Sequence, residues 1–126
     1  MKVLVIEEDS FIRAVYESEL RQENIEVVSA LNGRDGLAKA LETKPDLIIT
    51  ELILTKLNGF ELIKEIRQSV KKNPLAKTPI VVVSALSQKQ DIDEAMALGA
   101  TKYLPKDLFS SKQAVREVLN LMMGLI

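Results

Sequence analysis

The 126-residue chain contains no cysteine and no histidine. These absences exclude disulfides, thiol nucleophiles, the usual zinc sites and imidazole acid–base chemistry. Its apolar runs, such as VLVI, DLIIT and IVVVSAL, are far shorter than the roughly 18 residues that span a bilayer. The N-terminus also lacks the basic flank and small-residue cleavage site of a signal peptide, so we expect a cytoplasmic protein with no membrane contact.

The composition is that of one ordinary globular domain. Hydrophobic residues make up 47% of the chain and charged residues 28%, which allows a sizeable core and excludes intrinsic disorder. The length predicts a single domain over residues 1–126. The net charge of -1 and the lack of a basic helix argue against direct nucleic acid binding. What remains is the chemistry of carboxylates, hydroxyls and amines.

Hydrophobic periodicity predicts five strands that alternate with five helices. Short apolar runs predict strands over residues 2–6, 26–29, 47–50, 80–84 and 101–105. Helical spacing predicts a first helix from Phe11 to Ile25 with Ser10 as N-cap and a second over residues 32–43. A third is predicted from Phe60 to Val70 before a turn at Asn73-Pro74, and a fourth from Ile92 to Leu98 before Gly99. The fifth follows a cap at Ser110 or Ser111. This order predicts an α/β protein, with a parallel sheet covered by helices on both faces.

Polar residues follow four of the predicted strands. They are Glu7, Glu8 and Asp9 after the first, Glu51 after the third, Ser84 at the end of the fourth and Lys106 after the fifth. Ligand crevices in such sheets lie beyond the carboxyl ends of the strands. Clustered carboxylates suit Mg²⁺, and an amine with a hydroxyl suits phosphoryl oxygens. Each residue alone could be a solvated loop residue or a cap, but their coincidence at one edge predicts a phosphate-handling site.

The sequence resembles the receiver domain of two-component response regulators over nearly its full length. Four segments carry the resemblance: VLVIEEDSFIR, KPDLIITELILTKLNGFELI, PIVVVSAL and GATKYLPK. The resemblance implies a flavodoxin-like fold with strand order 2-1-3-4-5. It also implies signalling through the surface formed by the fourth helix, the fifth strand and the fifth helix. It implies a sensor histidine kinase or a downstream regulatory protein as partner, and homodimerisation through the same surface.

The resemblance also assigns roles to single residues. It places metal ligation on Glu7, Glu8, Glu51 and the backbone carbonyl of Ile53, the phosphoacceptor on Glu51, the hydroxyl on Ser84, the switch aromatic on Tyr103 and the lysine on Lys106. The implied cofactor is Mg²⁺, held more weakly because the acidic side chains are glutamates. Without the family, Tyr103 reads as ordinary half-buried packing in a strand.

Three departures from the family pattern stand out. Glu51 replaces the acceptor aspartate, Thr55-Lys56 replaces the usual Pro-Gly, and Asp107 replaces the proline after the lysine. Because a cis bond before a non-proline residue costs about 2.5–4 kcal/mol, we expect a trans bond between Lys106 and Asp107. The longer Glu51 side chain should crowd the incoming phosphoryl group and weaken or abolish phosphorylation.

Several interpretations remain open on sequence alone. Glu51 could reach Lys106 and fix the signalling state by moving Ser84 and Tyr103, or it could leave a passive interaction module. A working phospho-receiver, modified by a kinase with Mg²⁺, is the alternative, and a separate Mg²⁺-dependent enzyme ranks far behind. We therefore predict a signalling module and not an enzyme. The apolar LMMGLI at the end of the chain could form a dimer seam.

Overall fold

The computed structural model describes residues 1–68 and 74–124. It contains a five-stranded parallel sheet of order β2-β1-β3-β4-β5, with helices on both faces. This is the flavodoxin-like arrangement that the sequence predicted. The strands are β1 (Lys2–Ile6), β2 (Glu26–Ala30), β3 (Leu47–Thr50), β4 (Ile80–Ser84) and β5 (Lys102–Pro105). The helices are α1 (Ser10–Gln22), α2 (Gly33–Thr43), α3 (Gly59–Gln68), α4 (Lys89–Leu98) and α5 (Ser111–Met123), and a 3-10 turn spans Pro74–Lys77.

Alternate side chains of the strands enter two separate apolar layers. Val3 and Val5 of β1 pack with α1 and α5, whereas Leu4 and Ile6 of the same strand pack with the layer that contains α2, α3 and α4. Every residue of β3 and β4 is buried, because helices cover both faces of these two strands. The sheet therefore holds the ends of β1, β3, β4 and β5 in fixed positions.

Three predicted helix boundaries need correction. One is the start of α4, which begins at Lys89 and not at Ile92. Asp9, not Ser10, is the N-cap of α1, because its carboxylate accepts hydrogen bonds from the amides of Phe11 and Ile12 at 2.9 and 3.0 Å. The predicted first helix also ends too late, since α1 stops at Gln22 and Ile25 lies beyond it. At α5, Ser110 is the cap, and its capping box with Gln113 decides between the two predicted serines.

Other predictions fall at the limits of the described chain. Val70 and Asn73 lie outside the described residues, as do the last two residues of the LMMGLI segment. Met122 of that segment is only 4% exposed and packs in the layer with α1, so it does not line a surface seam. No cis peptide occurs in the described segments, so the Lys106–Asp107 bond is trans, as predicted.

A membrane span requires a helix of sufficient length and apolar character. Within residues 1–68 and 74–124, no helix is both long enough and apolar enough to cross a bilayer.

Candidate functional site

Four predicted site residues meet at the carboxyl edge of the sheet. The ammonium of Lys106 lies 2.7 Å from Glu7 Oε1 and 2.9 Å from Glu51 Oε1, and it donates a hydrogen bond to each. Each carboxylate residue is 5% exposed. The strands bring these residues together, because β1 and β3 are neighbours and the amide of Lys106 bonds to the carbonyl of Ser84 at 2.8 Å. One cation thus bridges two buried anions.

Glu51 is held by the backbone as well as by Lys106. Its Oε2 accepts hydrogen bonds from the amides of Leu52 at 2.6 Å and Ile53 at 3.3 Å, and its Oε1 accepts one from the amide of Ala85 at 3.3 Å. Burial raises the pKa of Glu51, but hydrogen bonds with Ser84 and Lys106 outweigh it and hold the pKa below its ordinary value. Glu51 is therefore an ionised side chain with both oxygens occupied.

The same contacts lower the pKa of Glu51, whereas they raise that of Lys106. Burial lowers its pKa, but hydrogen bonds with Glu7 and Glu51 prevail and raise the pKa above its ordinary value. Both shifts favour the charged forms of Lys106 and Glu51 at neutral pH. A phosphoryl group would have to displace contacts that are already made.

Glu8 does not join this cluster. Its carboxylate accepts a hydrogen bond from the amide of Thr55 and contacts the Thr55 hydroxyl, with Oγ1 3.0 Å from each carboxylate oxygen. Among residues 1–68 and 74–124, no three acidic side chains converge as a metal site. Instead, the Lys106 ammonium lies between Glu7 and Glu51. The donor set in this arrangement does not fit the Mg²⁺ site that the family resemblance implies.

Ser84 and Tyr103 link the cluster to the loop after β4. The Ser84 hydroxyl accepts a hydrogen bond from the amide of Leu86 at 3.1 Å, and the Tyr103 hydroxyl donates one to the Leu86 carbonyl at 2.6 Å. Burial raises the pKa of Tyr103 above its ordinary value, although a hydrogen bond with Ser84 opposes it. Tyr103 is thus tethered to the same loop residue as Ser84, and the amide of Ala85 between them donates to Glu51 Oε1 at 3.3 Å.

Three residues near the site escaped the sequence interpretation. The guanidinium of Arg13 donates to the carbonyl of Glu7 at 2.7 Å. Tyr16 is 2% exposed, and burial raises its pKa to about 12, although the nearby charge of Lys106 lowers it. Thr55, which stands where the family usually has proline, donates its amide hydrogen to Glu8. The sequence signal for this contact is the absence of proline, because any other residue supplies an amide donor at that position.

The contacts of Glu51 predict how stability depends on acidity. Its folded-state pKa is lowered, so Glu51 stabilises the fold above the unfolded-state value of 4.5, and that contribution is lost as the pH falls through the folded-state pKa. In urea unfolding between about pH 6 and about pH 3, Glu51→Gln should therefore lose less stability on acidification than the wild type. Glu65→Gln, at an exposed glutamate of α3, is the control and should follow the wild type. Parallel profiles for Glu51→Gln and the wild type would contradict this assignment.

Comparisons with known proteins identify the family of the chain. Response regulator ArlR of Staphylococcus aureus is 33% identical over 120 residues, which are 94% of this chain and 52% of ArlR. The chain thus spans about half the length of the curated relatives it matches. The structure of chemotaxis response regulator CheY4 of Vibrio cholerae has a TM-score of 0.83, 29% identity and coverage of 95% of this chain and 97% of that chain.

The response regulator domain of CheB from Thermotoga maritima is similar as well. It has a TM-score of 0.80 and 30% identity, and the match covers 98% of this chain and 94% of that chain. The family model for the response regulator receiver domain matches residues 3–120. The chain therefore belongs to the response regulator receiver domain family of two-component signalling.

Proposed function

We propose that this receiver domain signals without being phosphorylated and acts by binding a protein partner through the surface of α4, β5 and α5. The observation that carries the proposal is the bridge from Lys106 to Glu51 at 2.9 Å and to Glu7 at 2.7 Å. This bridge gives Lys106 two buried partners, so the lysine is not available to a phosphoryl group. The domain is then a binding module and not an enzyme.

The surroundings of Glu51 oppose phosphoryl transfer for a second reason. An attacking oxygen must align with the donor, and a misplacement of about 1 Å can cost on the order of 10²-fold in rate. Both oxygens of Glu51 are fixed by hydrogen bonds that include the 2.6 Å contact with the amide of Leu52. With Glu8 bound to Thr55, no three acidic side chains within residues 1–68 and 74–124 converge as a group that could hold a divalent cation.

The contacts of Tyr103 favour a fixed signalling conformation over a passive module. Glu51 accepts a hydrogen bond from the amide of Ala85, which follows β4, at 3.3 Å. The next residue of this loop, Leu86, donates its amide to the Ser84 hydroxyl and accepts a hydrogen bond from Tyr103 at its carbonyl. A continuous set of polar contacts therefore joins the acceptor position to β5. We infer that Glu51 supplies the constraint that a phosphoryl group would otherwise supply.

The proposed interaction surface presents mixed chemistry to a partner. On α4, Met96 is 42% exposed, and Lys89 forms an exposed 2.7 Å ion pair with Asp93. Between β5 and α5, Lys102 pairs with Glu117 at 2.8 Å. A downstream regulatory protein is the partner that we propose, and a second copy of the chain could use the same surface. We propose no direct nucleic acid binding by this domain.

A working phospho-receiver is the second candidate. The observation in its favour is that the Lys106 ammonium contacts Glu51, the position that would take a phosphoryl group from a sensor histidine kinase with Mg²⁺, and that Ser84 helps to lower the pKa of Glu51. In that case the pocket would promote its own modification. The two candidates differ in whether a phosphodonor changes the domain at all.

Amide NMR spectra separate these candidates. We expect Mg²⁺ and acetyl phosphate to leave the wild-type resonances of the β4–α4 loop and β5 unchanged, because the cluster already constrains them. Glu51→Ala should shift the resonances of Leu86 and Tyr103, since it removes the first contact in the set. Glu61→Ala, at an exposed residue of α3, is the matched control and should shift only its neighbours.

Two outcomes would contradict the proposal. Donor-dependent shifts at Tyr103 in the wild type would favour the working phospho-receiver. If Glu51→Ala changed Leu86 and Tyr103 no more than Glu61→Ala does, the domain would be a passive module, with no constraint transmitted from Glu51.

A further inference from the structure

Thr55 contacts both carboxylate oxygens of Glu8. Its amide donates to Glu8 Oε2, and its hydroxyl oxygen lies 3.0 Å from Oε1 and 3.0 Å from Oε2. Glu8 follows directly after Glu7, yet the two side chains have different partners, Thr55 for one and Lys106 for the other. Adjacent carboxylates are thereby separated.

The loop that carries Thr55 is itself fixed against α2. The Thr55 carbonyl accepts hydrogen bonds from the amides of Gly33 at 3.1 Å and Leu57 at 2.7 Å. The approach to α2 is so close that a Cβ on Gly33 would lie 1.6 Å from the Leu57 carbonyl oxygen. Thr55 thus cannot follow Glu8 into the pocket without breaking this packing.

Charge explains why the position of Glu8 matters. Lys106 with Glu7 and Glu51 carries a formal net charge of one negative unit, from one ammonium and two carboxylates. Bringing Glu8 into the same space would add a third carboxylate and create a demand for a cation that one lysine does not meet. Keeping Glu8 outside lets Lys106 serve as the only counter-ion that the two buried carboxylates contact in the described part of the chain.

We propose that Thr55 is a positioning residue that keeps Glu8 out of the pocket and so makes the pocket weakly responsive to divalent cations. The inference rests on the proposed phosphorylation-independent function and deepens it, because it assigns the weak cation response to a residue other than Glu51. It predicts that releasing Glu8 strengthens cation binding even while Glu51 is unchanged.

The test is a Mn²⁺ titration followed by paramagnetic relaxation of water protons. Thr55→Val removes the hydroxyl and keeps the amide, so we expect Mn²⁺ to bind about fivefold more tightly than to the wild type. Thr55→Pro also removes the amide donor and should bind at least tenfold more tightly. Adding Glu8→Gln to either variant should return the affinity to the wild-type value. Thr43→Val, which removes a hydroxyl bond within α2, is the control and should change nothing.

The possible results are decisive for the inference. The Mn²⁺ affinity of Thr55→Val can be measured even if Thr55→Pro does not fold, because valine nearly matches threonine in shape and should preserve the fold. Wild-type Mn²⁺ affinity in a folded Thr55→Val protein, or a gain that persists after Glu8→Gln, would overturn the role of Thr55. Phosphorylation of the wild type would overturn the proposed function instead, and it would leave the Mn²⁺ comparison between variants intact.

Discussion

Replacing Lys106 with methionine should lower the free energy of unfolding by roughly 3 kcal/mol at neutral pH. Methionine keeps most of the length of the side chain but removes the charge that contacts Glu7 at 2.7 Å and Glu51 at 2.9 Å. Both carboxylates are 5% exposed, so the variant would leave two buried anions facing each other without a counter-ion. Urea unfolding of the wild type and Lys106→Met measures the loss.

Two further variants assign that loss to charge. The combination of Lys106→Met with Glu7→Gln and Glu51→Gln removes all three charges and should recover most of the stability, since no unpaired anion remains. Lys89→Met removes a lysine whose pair with Asp93 lies in solvent and should leave the unfolding midpoint unchanged. If Lys106→Met unfolded at the same urea concentration as Lys89→Met, the bridge would not contribute to stability.

Shortening Glu51 to aspartate should restore phosphoryl acceptance. Glu51→Asp retracts the carboxylate by one methylene, roughly 1.5 Å, which separates it from Lys106 and from the amide of Leu52. The phosphoryl group of a donor then has room in the site, and a lone pair of the aspartate oxygen is free to attack its phosphorus. With acetyl phosphate and Mg²⁺, we expect Glu51→Asp to be labelled at least about 100-fold faster than the wild type.

Matched variants identify the reason for the gain. Glu51→Asn has the shorter side chain without the nucleophilic carboxylate, so it should remain unlabelled. Combining Glu51→Asp with Thr55→Val should accelerate labelling further, because Glu8 is released as well. If neither Glu51→Asp nor this double variant accepted a phosphoryl group, changes elsewhere in the pocket would have to account for its inactivity.

The alternation of strands and helices could be predicted because its signals are local and repeated, whereas the strand order 2-1-3-4-5 followed from the family resemblance. The apolar runs of β3 and β4 are buried at every residue, as expected for central parallel strands. The helix starts were harder to predict. Asp9 and Ser10 are both good capping residues, and only the backbone conformation shows that Asp9 accepts the amide hydrogen bonds.

The site could be predicted in part. Strand ends placed Glu7, Glu51, Ser84 and Lys106 at one edge, because parallel strands end together. The same logic placed Glu8 with them, but Glu8 bonds to Thr55, 47 residues away in the chain. The positions of residues at strand ends indicate which side chains lie near one another. They do not indicate whether a carboxylate will contact a metal cation, Lys106 or a loop hydroxyl, because these contacts compete and are of similar strength.

The most direct measurement of the central claim is the intact mass of the wild-type protein after incubation with Mg²⁺ and acetyl phosphate. The contacts of Glu51 with Lys106 and the amide of Leu52 predict that the mass does not change. A mass increase equal to one phosphoryl group, located at Glu51 by fragmentation, would contradict the account. The domain would then be a conventional phospho-switch with glutamate as its acceptor.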